Sequence, residues 1–147
     1  MSDGACFVVY IDGGARGNPG PAGAGVHIRA ADDGTVLFEG GWYLGRATNN
    51  VAEYRALLAG LARAAALGAE QVEVRSDSEL LVRQMRGEYR VRKEHLRELH
   101  GRARALCGKL AGVTFTHVRR DANTDADRLA NQAMDAKRSV EDAAEDA

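Results

Sequence analysis

Four acidic side chains stand where the pattern of the chain changes. Asp12 ends the apolar run "CFVVYID", Glu53 lies in the first turn of a helical stretch, Asp77 follows the run "QVEVRS", and Asp127 lies in the first turn of a later helical stretch. Carboxylates are the groups of general acid–base chemistry and of hard-cation binding. Here their spacing is irregular, so no local motif joins the four. Each also has a purely local reading. Asn50 with Glu53 and Thr124 with Asp127 fit capping boxes, in which the carboxylate reaches back to the N-cap amide. Asp77 fits a helix cap, and Asp12 fits an Asx turn before Gly13. Taken singly, the local and functional readings stand level.

The elements that must position these acids follow from periodicity. "CFVVYID" (6–12) alternates little and reads as a strand buried on both faces. Strands near 23–30 and 35–44 flank the turn "DDG" (32–34) and read as a hairpin. After "ATNN" the period changes from two to 3.6: Tyr54, Leu57, Leu58, Leu61 and Ala65 mark one stripe, and Gly68 closes the helix. At about 100° per residue, Glu53 borders that stripe and faces away from Arg55 and Arg63. It therefore looks along the sheet toward strand ends, where ligands gather in open α/β sheets. A strand at 71–76, a short helix capped by Ser78 and running to Met85, and a longer helix from Lys93 to Leu110 come next. A strand at 113–118 and a helix from Asp125 to Lys137 complete the order. A meander followed by crossovers implies an α/β fold: a five-stranded mixed sheet, with a three-strand antiparallel meander plus two crossover strands, flanked by helices.

A length of 147 residues, 45% of them hydrophobic, suits one domain with one core, expected over residues 1–138. No apolar run is long enough to span a bilayer, and "MSDGACFVVYIDGG" lacks the basic region and cleavage site of a signal peptide. The expected location is cytoplasmic, with no membrane partner. Cys6 and Cys107 have no CxxC spacing and read as small apolar residues in a reducing compartment. The net charge of −1 conceals an uneven distribution. "SVEDAAEDA" (139–147) carries four acids and no base and is expected to be a disordered acidic tail. Residues 83–104 hold eight Arg or Lys against three Glu, which suits either a polyanion or a solvated helix face.

Four stretches, "YIDGGARGNPGPAGAG" (10–25), "ATNNVAEYRALLAGL" (47–61), "VRSDSELLVRQM" (74–85) and "HVRRDANTDADRLAN" (117–131), together resemble the type 1 ribonuclease H family. The likeness is to its short bacterial and archaeal members and runs from about residue 6 to 136. It implies a ribonuclease H-like fold and a monomeric endonuclease that cuts the RNA strand of RNA/DNA hybrids, leaving 5′-phosphate and 3′-hydroxyl ends. It also implies that Asp12, Glu53, Asp77 and Asp127 hold two Mg²⁺ ions, with Mn²⁺ as an alternative. Like charges about 4 Å apart repel by roughly 4 kcal/mol per pair at an effective dielectric of about 20, so such a cluster needs cations to ionise together. In the mechanism so implied, Asp12 bridges the ions, Asp127 serves the ion on the water side, and Glu53 and Asp77 serve the other.

The resemblance extends to further residues. His117 matches a mobile histidine that moves protons, work suited to a group titrating near neutrality; its local reading is a half-buried strand-end residue in phase with Val113 and Phe115. Amides of Gly13, Gly14 and Ala15 are implied to contact RNA 2′-hydroxyls. Asn18, Arg46 and Thr48 match residues holding a DNA phosphate, and Asn49 and Asn50 match residues in the minor groove. On this reading the glycines after Asp12 let the chain turn back and approach a nucleic-acid strand. The basic helical handle of the better-known bacterial branch is replaced here by "RGEYRVRKEH" alone.

Overall fold

A computed structural model describes residues 5–143. Three antiparallel strands open the chain: β1 (Ala5–Ala15), β2 (Gly20–Ala30) and β3 (Val36–Ala47). Then come α1 (Asn49–Ala66), β4 (Ala69–Ser76), α2 (Glu79–Met85), α3 (Glu94–Cys107), β5 (Gly112–His117), a 3-10 turn at Arg120–Ala122, and α4 (Thr124–Ala136). β4 runs parallel to both β1 and β5, so the expected meander and two crossover strands are all present.

The sheet contains one strand more than expected. β6 (Val140–Ala143) pairs antiparallel with Phe38–Gly41 of β3 and gives the order β5-β4-β1-β2-β3-β6. The expectation of disorder for 139–147 fails over these four residues. Composition argues only against burying side chains, whereas an open sheet edge offers main-chain hydrogen bonds to any extended segment. Residues 144–147 lie outside the described part.

One face of the sheet carries the core. Val9 and Ile11 of β1, Val26 and Ile28 of β2, and Val72 and Val74 of β4 are buried against Tyr54, Leu57 and Leu61 of α1. Leu96, Leu99 and Ala103 of α3 extend the same cluster. Tyr54, Leu57, Leu58 and Leu61 of the stripe read from the sequence lie on the buried face of α1, whereas Ala65 is half-buried and Ala64 is buried in the last turn; Gly68 follows at φ 91°. Cys6 is exposed and Cys107 half-buried, and both are free.

The other face is partly covered by α4, and here glycine sets the distance. A Cβ at Gly25 would fall on the Ala126 carbonyl, one at Gly23 would press on that of Ala130, and one at Gly41 would fall on that of Leu129. β2 and β3 thus present a smooth track on which the helix backbone lies directly. The track fixes the height of α4 above the sheet, and with it the helix that carries Asp127.

Gly25→Val should destabilise the fold by about 3 kcal/mol, since backbone cannot rotate away from the added methyls. For a chain of this size that is a fall in melting temperature of roughly 6–12 °C. Gly34→Ala, in an open turn at φ 75° with nothing near its Cβ, should lose only about 1 kcal/mol. Thermal unfolding followed by circular dichroism checks both.

Candidate metal centre

All four acids are delivered to one end of the sheet. Asp12 lies in β1, paired with Gly25 of β2, because β1 continues as a strand to Ala15. An Asx turn is therefore ruled out. Glu53 sits one turn into α1, whose N-cap is Thr48: its hydroxyl accepts the Val51 amide at 3.2 Å. With the cap already supplied, the Asn50–Glu53 capping box does not form, and Glu53 Oε1 instead accepts the Gly13 amide at 3.0 Å. Asp77 directly follows β4, and Ser78, not Asp77, caps α2. Asp127 lies in the first turn of α4, where Asn123 is the N-cap residue but makes no side-chain cap bond. Neither capping box is therefore realised.

Carboxylate oxygens of Asp12, Glu53 and Asp77 come within 4.8 Å of one another. Asp127 lies outside that group of three but lines the same cleft, where it helps to raise the Asp12 carboxyl. Asp12 and Glu53 are buried, whereas Asp127 is exposed. Burial first, then the charges of Glu53 and Asp77, pushes the Asp12 carboxyl up to about 9. Burial likewise raises Glu53, to about 8, although the Gly13 amide and the charge of Arg120 pull the other way. Glu53 Oε2 is buried with no hydrogen-bond partner. An all-oxygen donor set with an orphaned, desolvated carboxylate oxygen fits a hard divalent cation.

The glycine after Asp12 has a different physical reason from the one expected. A Cβ at Gly13 would fall on the Ala52 carbonyl, so the missing side chain lets α1 press against β1 and brings Glu53 to Asp12. The reversal itself comes later, where Gly17 takes φ 89° and the Asn18–Pro19 bond is cis. The amides of Gly13 and Ala15, expected to face RNA, are already donated to Glu53 and to Asn49 Oδ1, the latter at 2.8 Å.

The cleft has a volume of about 430 Å³, and only some of the remaining expected residues line it: Asn18, Arg46, Thr48 and His117 are outside its lining. Gly14, Ala15, Asn49 and Asn50 line it with the acids. Asn18 Oδ1 accepts the Asn49 amide at 2.9 Å and so holds the start of α1. Arg46 is exposed near the end of β3, opposite Pro21, and Thr48 is half-buried at its cap. His117 is exposed, not half-buried as its parity suggested, and pairs with Ser76 at the end of β5, one residue from Asp77.

The sequence reading passed over three residues. Asn123, 1% exposed, donates from Nδ2 to the Ile11 carbonyl at 2.8 Å and ties the start of α4 to the strand that carries Asp12. Asn131 donates from Nδ2 to the Asp127 carbonyl at 2.9 Å and to its side chain at 3.3 Å. Arg120 lines the cleft as a counter-charge. Asn123 could have been read as a cap from its place before Thr124, but its bond across the fold leaves no trace in the sequence.

The profile of the reverse transcriptase-like family matches residues 10–133. Three solved structures are close in fold and sequence. The N-terminal RNase H domain of a bifunctional Mycobacterium tuberculosis protein is 50% identical, with 90% of this chain and 95% of that one covered at a TM-score of 0.87. RNase H1 from the archaeon Halobacterium salinarum is 44% identical, with 89% and 98% covered at 0.86. LC11-RNase H1, solved in complex with an RNA/DNA hybrid, is 43% identical, with 89% and 98% covered at 0.84. Fold, acidic cleft and likeness together define an RNase H-like domain of the type 1 kind. The chain belongs to the reverse transcriptase-like family. It spans about a third of the full mycobacterial protein, 35% of its length.

Asp12→Asn should raise the melting temperature of the metal-free protein. The Asp12 carboxyl titrates at about 9 in the fold against 3.8 for the ordinary group, so folding takes up a proton between those values and loses stability as pH rises. Scanning calorimetry in chelator should show the variant ahead by several degrees at pH 8, with the gap closing toward pH 4.

Proposed function

We propose that this domain is an endonuclease that hydrolyses the RNA strand of RNA/DNA hybrids with the help of divalent cations. The convergence of Asp12, Glu53, Asp77 and Asp127 from four separate elements is the observation that carries the reading. Those four would hold two ions, Mg²⁺ for preference, given their hard oxygen donors. Bound there, such ions supply positive charge to the scissile phosphate and a more acidic water as nucleophile, so that 5′-phosphate and 3′-hydroxyl ends result.

The side chains of the domain do the placing. Glu53, pinned by the Gly13 amide, and Asp12, fixed in the sheet, form the rigid half of the donor set. Asp77, which follows β4, and Asp127 of α4 complete the set in the same cleft. His117, exposed at the end of β5 opposite Ser76, the residue before Asp77, would take or return a proton. Gly14 and Ala15 would meet the strand being cut and Asn49 and Asn50 the minor groove, all four lining the cleft, while Asn18, Arg46 and Thr48 would hold a phosphate of the DNA strand. The solved complex of LC11-RNase H1 with a hybrid supports this substrate class. Among the described residues no helix is long and apolar enough to cross a membrane. A monomer in the cytoplasm fits this picture.

The purified protein, given Mg²⁺ or Mn²⁺ and an end-labelled hybrid, should cut the RNA strand only, and Asp12→Asn should abolish cutting while the fold persists. His117→Ala should lower kcat by about a hundredfold, the scale of a lost proton carrier. An intact RNA strand under these conditions, or equal cutting of double-stranded DNA, would sink the reading.

A further inference from the structure

Away from the cleft, the described residues contain a dense polar cluster around a buried histidine. It lies under the first turn of α4. His27 of β2 has a side chain only 3% exposed. Arg29 donates from Nε to His27 Nε2 at 2.7 Å, which leaves the ring proton on Nδ1. Nδ1 in turn lies 2.8 Å from Glu39 Oε2 on β3 and donates to it. Glu39 also accepts from Arg128 at 2.7 Å, and Arg128 reaches Asp125 at 3.4 Å. Arg29 closes the ring by donating to Asp125 at 3.3 Å. His27, Glu39 and Asp125 have the spacing of a cation site. Arg29 and Arg128 already supply the positive charge there, so the cluster reads as a clamp.

We propose that His27 is a positioning residue for Asp127: by holding Glu39 and Arg29 in place on the sheet, it fixes the two groups that bond Arg128 and Asp125 of α4, and so sets where that carboxylate stands relative to Asp12. This rests on the reading of the four acids as cation ligands. Asp127 most needs such support. Asp12 is held in the middle of a sheet, Glu53 is buried and bonded to Gly13, and Asp77 leaves directly from β4. Asp127 is exposed, on a helix with no side-chain N-cap bond. The clamp grips Asp125 and Arg128, two residues before and one after it. α4 rides with its backbone on the track of Gly23, Gly25 and Gly41, and Asn123 ties its start to Ile11 of β1. The polar clamp adds a second tie, on β2 and β3. Ion sites require ligands placed to within about 0.5 Å, so a small slide of the first turn is enough to weaken binding.

Mn²⁺ binding to the hybrid-free protein, measured by calorimetry, tests this without reference to turnover. His27→Ala should weaken Mn²⁺ binding by roughly fivefold to tenfold, a loss of about 1–1.4 kcal/mol. His27→Asn, whose amide can stand in for Nδ1–H toward Glu39, should stay within about twofold of wild type, on the scale of one retained hydrogen bond. Phe7→Leu, a core change at the far end of β1, is the control for general destabilisation and should leave affinity unchanged. Wild-type binding with equal affinity in His27→Ala overturns the positioning role alone. Absence of Mn²⁺ binding in the wild type overturns the reading of the acids, and this inference with it. If His27→Ala fails to fold, Arg128→Met cuts the same clamp from the surface; unchanged affinity in that variant also overturns the proposal.

Discussion

Asp12 and Glu53 are held out of water side by side at the end of the central strand, where burial makes both costly to ionise and the charge of Glu53 adds to the cost for Asp12. In water such a pair would part. Here it cannot, because β1 lies between β2 and β4 in the middle of the sheet while α1 is pressed onto it at Gly13. The backbone contact at Gly13 is therefore as much a part of the site as the carboxylates. It brings Glu53 close enough for the Gly13 amide to bind one of its oxygens and leaves the other without a partner. Stability given up locally in this way has to be recovered elsewhere, and the continuous core of α1, α3 and the sheet is where burial is densest.

Four asparagines organise the rim of the same cleft, in two different ways. Three of them use side chains to satisfy main-chain groups at the ends of elements: Asn18 accepts from Asn49, Asn49 accepts from Ala15, and Asn123 donates to Ile11. The fourth, Asn131, holds a site acid directly. These amide side chains tie loops and helix starts to the strands, beside the hydroxyl caps that Thr48 and Ser78 give α1 and α2. The arrangement explains why the cleft is polar yet stiff: the groups that face it are the groups that close the fold around it.

How much of this was visible in the sequence depended on the range of the interaction. The five strands and four helices were legible because burial imposes periods of two and 3.6, and the hairpin turn and the end of α1 were legible because glycine marks them. That the four acids belong together was legible only from four motifs taken jointly. The capping-box readings of Glu53 and Asp127 failed because a box depends on which residue the backbone makes the N-cap, and Thr48 and Asn123 take those places. Gly13, Gly23 and Gly25 look like turn residues in the sequence, but a helix lying across them is their reason, which only tertiary structure reveals. His27 gave no signal at all, since its partners are 2, 12 and 98 residues away.

An acidic cleft that is to meet a polyanion poses a last electrostatic question. The basic stretch from 83 to 104 offers less free charge than its composition suggests. Arg83 is paired with Glu79 and Glu88, Arg86 donates to the Phe115 carbonyl, and Arg97 donates to the carbonyls of Val91 and Arg92. Arg90, Arg92 and Lys93 instead line a groove that joins the acidic cleft at Asn50. Positive charge thus lies mostly beside the acids, with Arg16 and Arg120 the basic residues that line the acidic cleft itself. Separation of this kind lets a phosphate backbone be attracted to the flank while the acids remain available to cations. The short loop that stands in place of a handle keeps its charge at the junction of the two grooves, where a duplex crossing the cleft would meet it.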